Sequence, residues 1–222
     1  MPFDQKTRSL RIKGLGPDDQ FALTSLSGTE AISRLFSFQI EFLSLKTSLK
    51  ADDVIGKPVT LEVAEKNVGN RGDLEIRYFH GIVNRFSSGS IEEEKSPEGE
   101  PSRIYTAEVV PWLWFLTQTA RSHIFFPDQE EKSIGDVIDE VLNRKIHTKA
   151  DWEFRGADDL KKRKMKHCVQ YRESDFNFFS RILEQFGAYY YFEHSDVNHK
   201  MIITTQPSTS DCKEKNAEFR VN

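Results

Sequence analysis

The 222-residue sequence is short of the features that mark secreted, membrane-spanning and nucleotide-using proteins. Its two cysteines, Cys168 and Cys212, cannot make a disulfide framework. The first residues, Met1 to Leu10, are polar and charged, with no apolar stretch suitable for a signal peptide. The longest apolar run, Val109 to Leu116, is interrupted by Pro111 and falls far short of the ~20 residues a membrane helix needs. Basic side chains number 31 and acidic ones 35, a net charge of −4. That balance offers no general attraction to nucleic acid or to an anionic membrane. Gly14-Leu15-Gly16 runs into Pro17 and opens no helix, so it is no dinucleotide fingerprint. Neither a Walker-type glycine loop nor a Gly-x-Ser-x-Gly nucleophile elbow occurs. A soluble protein made in the cytoplasm is the expectation.

Aromatic residues are plentiful instead. The 17 Phe, 6 Tyr and 3 Trp argue for packed cores, because disordered chains are poor in aromatics. Phe36, Phe38, Ile40 and Phe42 alternate with Ser37, Gln39 and Glu41, the pattern of a half-buried strand. Val59, Leu61 and Val63 repeat it behind Gly56 and Pro58. Arg77 to Phe86 and Tyr105 to Val109 make two more strands, and Gly81 in the first suggests a bulge or a close backbone approach. Leu10 to Ile12 and Phe21 to Leu26 read as added edge strands. Ser87 to Ser102, rich in Glu and Pro, reads as an exposed, mobile loop.

Two helices stand out in the second half. Ser133 and Asp136 form a capping box ahead of Ile134, Val137, Ile138, Val141 and Leu142, which share one face. Ser174 caps the second helix, where Phe176, Phe179, Ile182, Leu183 and Phe186 form the apolar arc and Gly187 the C-terminal stop. Phe178 lies at the edge of that arc. With Tyr189 and Tyr191 of the strand Ala188 to His194, it is a candidate interface residue. Met201 to Thr205 returns as the partner of a hairpin. The resulting fold class is α+β and β-rich, with a β-barrel over 1–110, a smaller α+β domain over 111–206 and a polar tail over 207–222.

Chemistry is sparse. His194, Asp196 and His199 flank the hairpin turn and are the one plausible metal-dependent hydrolase centre, against the plainer reading of exposed turn histidines. Zinc sites use tighter recurring spacings, so no metal, cofactor or catalytic residue is assigned. Lys161 to Lys166 form a dense basic cluster that would suit phosphate. It lacks interleaved aromatics for single-strand binding and has Asp158 and Asp159 just upstream, so a solvated or subunit-facing patch is preferred and no nucleic-acid partner is expected.

The stretch from Cys168 to His194, Cys-Val-Gln-Tyr-Arg-Glu-Ser-Asp-Phe-Asn-Phe-Phe-Ser-Arg-Ile-Leu-Glu-Gln-Phe-Gly-Ala-Tyr-Tyr-Tyr-Phe-Glu-His, resembles the N-terminal part of the VgrG tip proteins of type VI secretion and related phage tail-hub proteins. Phe36 to Phe42, Phe79-His80-Gly81-Ile82-Val83 and Val110-Pro111-Trp112-Leu113-Trp114-Phe115-Leu116 agree with that family in order, over roughly Leu10 to Thr205. His123-Ile124-Phe125-Phe126 departs from the family's usual Arg-Ile-Phe-Gln. The resemblance implies a non-enzymatic, tail-hub-like β-barrel that forms a homotrimer and docks on the hexameric tail-tube protein. Baseplate proteins and effectors are its other implied partners, and export by the apparatus without a signal peptide its implied route. The later barrel and β-helical needle of the family are missing from this sequence, which reads as a fragment, a truncated product or a minimal hub.

Overall fold

The computed structural model describes residues 3, 8–17, 20–66, 74–92, 101–125, 131–144 and 150–207. Apart from Pro207, the expected polar tail lies outside them. Strong alternation in the first half produces six strands: β1 (Leu10–Lys13), β2 (Phe21–Thr29), β3 (Ser37–Ser44), β4 (Pro58–Lys66), β5 (Leu74–Glu92) and β6 (Ser102–Val110). They form one antiparallel sheet in the order β1-β4-β5-β6-β3-β2. Its edge strands β1 and β2 lie close together, so the sheet curls into a nearly closed barrel. Register places Phe38 opposite Val109, Ile40 opposite Ala107 and Phe42 opposite Tyr105, all of them buried. Phe42 and Phe86 both stack against Tyr105. One face of each strand thereby fills the barrel, which is what a period of two achieves.

Gly81 is a point of close backbone approach. A Cβ there would stand 2.5 Å from Val109 Cγ1 and 2.9 Å from the Val110 carbonyl oxygen, both far inside van der Waals contact. The bulge falls slightly later, between Val83 and Arg85. The expected loop from Ser87 to Ser102 needs correction at both ends. Residues as far as Glu92 continue β5, pairing Ser87 with Thr106 and Glu92 with Ser102. Ladder hydrogen bonds make strand there despite the polar composition, and 93–100 lie outside the described residues.

Pro111 lacks an N–H, ends β6 and opens a 3-10 helix, Trp112–Thr117. Beyond it come β7 (Ala120–Ile124), β8 (Lys132–Ser133), helix α2 (Ile134–Leu142) and β9 (Trp152–Phe154). The one-turn helix between β3 and β4, Ala51–Val54, counts as α1. Then follow α3 (Asp158–Lys162), β10 (Lys164–Met165), β11 (Val169–Ser174), α4 (Asp175–Gln185), β12 (Tyr189–His194) and β13 (His199–Thr204). Strands β7 and β11 pair, as do β8 and β10, while β12, β13 and β9 make a three-stranded sheet with β9 parallel to β13. Both expected helices form with their expected caps. Ser133 Oγ accepts from the Asp136 N–H, and the Asp136 carboxylate accepts from the Ser133 N–H. After α4, Gly187 at φ 68° lets Ala188 N–H reach the Leu183 carbonyl, the Schellman arrangement.

A single hydrophobic cluster runs from Ile12 in β1 to Ile203 in β13. The helices and the three-stranded sheet therefore share a continuous core with the barrel. Among the described residues no helix is long and apolar enough to cross a membrane.

Candidate functional site

A set of polar contacts between distant parts of the chain lies where the β12–β13 hairpin meets the barrel. Hairpin strands need partners on their free edge, and β12 finds one in Ser33, just after β2. Ser33 N–H donates to the Tyr190 carbonyl, and Tyr190 N–H donates to Ser33 Oγ. Ser33 takes the left-handed region at φ 55°, uncommon for a residue with a Cβ. At the turn of the hairpin, Thr60 Oγ1 of β4 donates to the Asp196 carbonyl at 2.9 Å.

Between these anchors lie three imidazoles. His80 of β5 and His199 of β13 meet Nδ1 to Nδ1 at 2.8 Å. His199 Nε2 accepts the Trp112 backbone N–H at 2.9 Å. That bond fixes the protons of the pair: His199 carries its own on Nδ1 and donates it to His80, whose proton must then sit on Nε2. His194 Nδ1 lies 3.0 Å from the His80 nitrogen and 3.1 Å from its carbonyl oxygen, while His194 Nε2 lies 3.1 Å from a Glu30 carboxylate oxygen. Phe36 packs against both His194 and His199, and Phe192 against Phe36 and His199. Burial, with the neighbouring His194 as a second cause, brings the His80 pKa down from the usual 6.5 to about 4. Burial also lowers that of His199, to about 2, with His80 and His194 adding to it. Both rings are neutral near pH 7.

This arrangement corrects the reading of the turn. His199 is 3% exposed and His194 nearly as enclosed, so neither is an exposed turn histidine. Asp196 gives the seam only its backbone oxygen and does not join the two rings in a ligand set. The third imidazole comes from β5 because the hairpin folds back across the chain. The basic cluster is solvent-facing, as expected: Arg163 pairs with Asp159, Lys164 with Glu131, and Lys161 lies over the Phe154 ring.

Phe178 is a correction too. It is 1% exposed and stacks on Phe125 at 4.9 Å, nearly parallel. Phe125, just after β7, covers that side of α4, widening the buried arc beyond the face the wheel marks. Phe176 and Phe186, at the other margins, are only half-buried. Tyr189 and Tyr191 are half-buried as well, with Tyr189 donating to the Gln206 carbonyl and Tyr191 lying against Arg155. On the β7–β11 ribbon, Ile124, Val169 and Tyr171 stand exposed.

A second polar centre has no counterpart in the sequence reading. Asp175, the first residue of α4, is 1% exposed. It accepts from Arg144, from Arg121 at 2.9 Å, from Gln170 Nε2 at 2.8 Å and from Thr119 Oγ1 at 3.1 Å. Four side chains from three separate stretches of chain thus converge on one carboxylate. Sequence shows Asp175 as a first-turn acid, but its partners lie on other elements.

Comparison with known proteins gives this architecture a context. The family model of the phage tail baseplate hub matches residues 29–222. Among curated relatives, the type VI secretion system spike protein VgrG1c of Pseudomonas aeruginosa is 35% identical over 92% of this chain and 25% of its own length. The chain therefore spans about a quarter of the length of such relatives. Among solved structures, an Escherichia coli component of the type VI secretion system, itself described as similar to the T4 tail proteins gp27 and gp5, superposes with a TM-score of 0.65 at 19% identity. That superposition covers 89% of this chain and 49% of the other. A Francisella PdpA–VgrG complex matches with a TM-score of 0.55 at 12% identity, over 90% and 32% of the two chains. At those identities the two structures establish the fold alone. The family match takes in four of the six strands of the curled sheet, β3 to β6, together with the hairpin docked on it, and on that ground the chain belongs to the phage tail baseplate hub family.

Proposed function

We propose that this chain is a structural, non-enzymatic part of a contractile injection machine, the N-terminal portion of a type VI secretion tip or baseplate hub. The match of the hub family over 29–222 carries this reading, and the barrel-like sheet supports it. In this role residues 1–110 are the hub barrel and 111–206 the α+β domain beside it. Three copies form a platform that docks on the hexameric tail tube, with baseplate proteins and effectors as further partners. Half-buried Tyr189 and Tyr191 are the proposed contact residues. The hub assembles in the cytoplasm and leaves with the apparatus.

Assembly is the test. Light scattering over a dilution series, with and without the tail-tube protein, should find a weak, concentration-dependent oligomer that the tube protein stabilises. A chain that stays monomeric at high concentration and ignores the tube protein contradicts the hub role.

A further inference from the structure

The imidazole pair at the seam is hydrogen-bonded so that one more proton has no place. A proton on His199 Nε2 would set two N–H groups against each other where Trp112 now donates, across 2.9 Å. A proton on His80 Nδ1 would do the same against His199 Nδ1–H, across 2.8 Å. We propose that His80 and His199 form an acid-sensitive latch, which holds the β12–β13 hairpin on the barrel while both rings are neutral and releases it when they are protonated.

The surroundings favour this behaviour. From the segment after β2, Glu30 faces the cluster, and it bonds to His194 rather than to the pair. Phe36 and Phe38 face it from the β3 side, Phe79 from β5, and Phe192 from β12. On the hairpin itself, Glu193 pairs with Arg155, and Lys200 with Asp151 and Glu153, on the opposite face of the sheet. A charged ring at position 80 or 199 therefore gains no carboxylate partner from these neighbours. His194 lies beside the pair, its Nδ1 within hydrogen-bond distance of both the His80 backbone nitrogen and the His80 carbonyl oxygen.

Once released, both rings return to the ordinary histidine range. At about pH 4.5 each released ring then favours opening by about a hundredfold, and the two together by about 10⁴-fold relative to neutral pH. Trp112 reports the event, since it is buried, donates to His199 and lies 6.1 Å from Trp152 between ring centroids.

The experiment follows tryptophan emission and far-UV circular dichroism of the 222-residue chain from about pH 7.5 to pH 4.5. The expected result is a red shift of emission with secondary structure retained. In the double variant His80→Gln with His199→Gln, whose amides reproduce the neutral hydrogen bonds without titrating, the transition moves at least tenfold in proton concentration toward acid. Unchanged emission, loss of the far-UV signal in the same step, or identical titration of variant and wild type overturns the proposal. Imidazole nitrogen NMR of the wild type decides the matter if the variant does not fold. His80 and His199 should be single tautomers at neutral pH, protonating together with the emission change. Rings that stay neutral through that change overturn the latch.

Discussion

Asp175 shows how much one side chain can organise. A carboxylate removed from water is costly unless its acceptor sites are filled, and here two guanidinium groups, an amide and a hydroxyl fill them. Replacing Asp175 with Ala strands Arg144 and Arg121 around an apolar stub. Loss of one partner of a buried pair costs about 3–5 kcal/mol, and urea unfolding of Asp175→Ala should register a loss of that size. Gly81 is the steric counterpart. Gly81→Ala drives a methyl into Val109 and the Val110 carbonyl, and overpacking of this kind costs about 1–3 kcal/mol. A Gly81→Ala protein as stable as the parent would show that β5 and β6 separate easily at that point.

At the scale of elements, α2 and α4 are held by caps at their ends and by core contacts along one face. The N-cap Ser133 fills an otherwise orphaned N–H, so Ser133→Ala should lower stability by about 1 kcal/mol. Phe179 is buried against Tyr190, and Phe179→Ala should cost about 3–5 kcal/mol through the cavity it leaves. Phe186 is only half-buried, and the same truncation there should cost clearly less. Thermal or chemical unfolding of the two variants side by side checks the ordering. Equal losses would mean that the wide arc of α4 is buried evenly, contrary to its packing between the 3-10 helix and Phe125.

Across the whole molecule, stability depends on pH through the seam. Both His80 and His199 bind protons less readily in the fold than in the unfolded chain. The stability they allow is therefore complete above 6.5 and declines as pH falls below it, until each folded-state value is reached, about 4 for His80 and about 2 for His199. Each contributes a slope of about 1.4 kcal/mol per pH unit in that window. Denaturant unfolding at pH 7.5 and pH 5.5 should thus differ by about 2–3 kcal/mol, with less stability in acid. In the double glutamine variant most of that difference should vanish. A wild type equally stable at both values would mean that the imidazoles are open to water.

Much of the scaffold was legible locally. The alternation from Phe36 to Phe42, the caps at Ser133 and Ser174, and the stop at Gly187 each depend on neighbours within a few positions, so the sequence by itself determined these strands and helices. The β-rich class follows from them, and the hub resemblance from the residues of the stretch Cys168 to His194. The polar stretch Ser87 to Glu92 looks like a loop along the sequence because its strand comes from pairing with β6, not from apolar content. Short elements such as β9, with three residues, carry too little pattern to be seen alone. A helical wheel puts Phe178 at an edge because it shows one element, whereas burial depends on what packs beside it. His80 and His199 stand 119 positions apart, and Asp175 draws its partners from as far back as Thr119 and Arg121. Sheet curvature and the return of the hairpin brought those groups together. Only the tertiary structure decided that contact, because a hydrogen bond between distant residues leaves no periodicity along the chain.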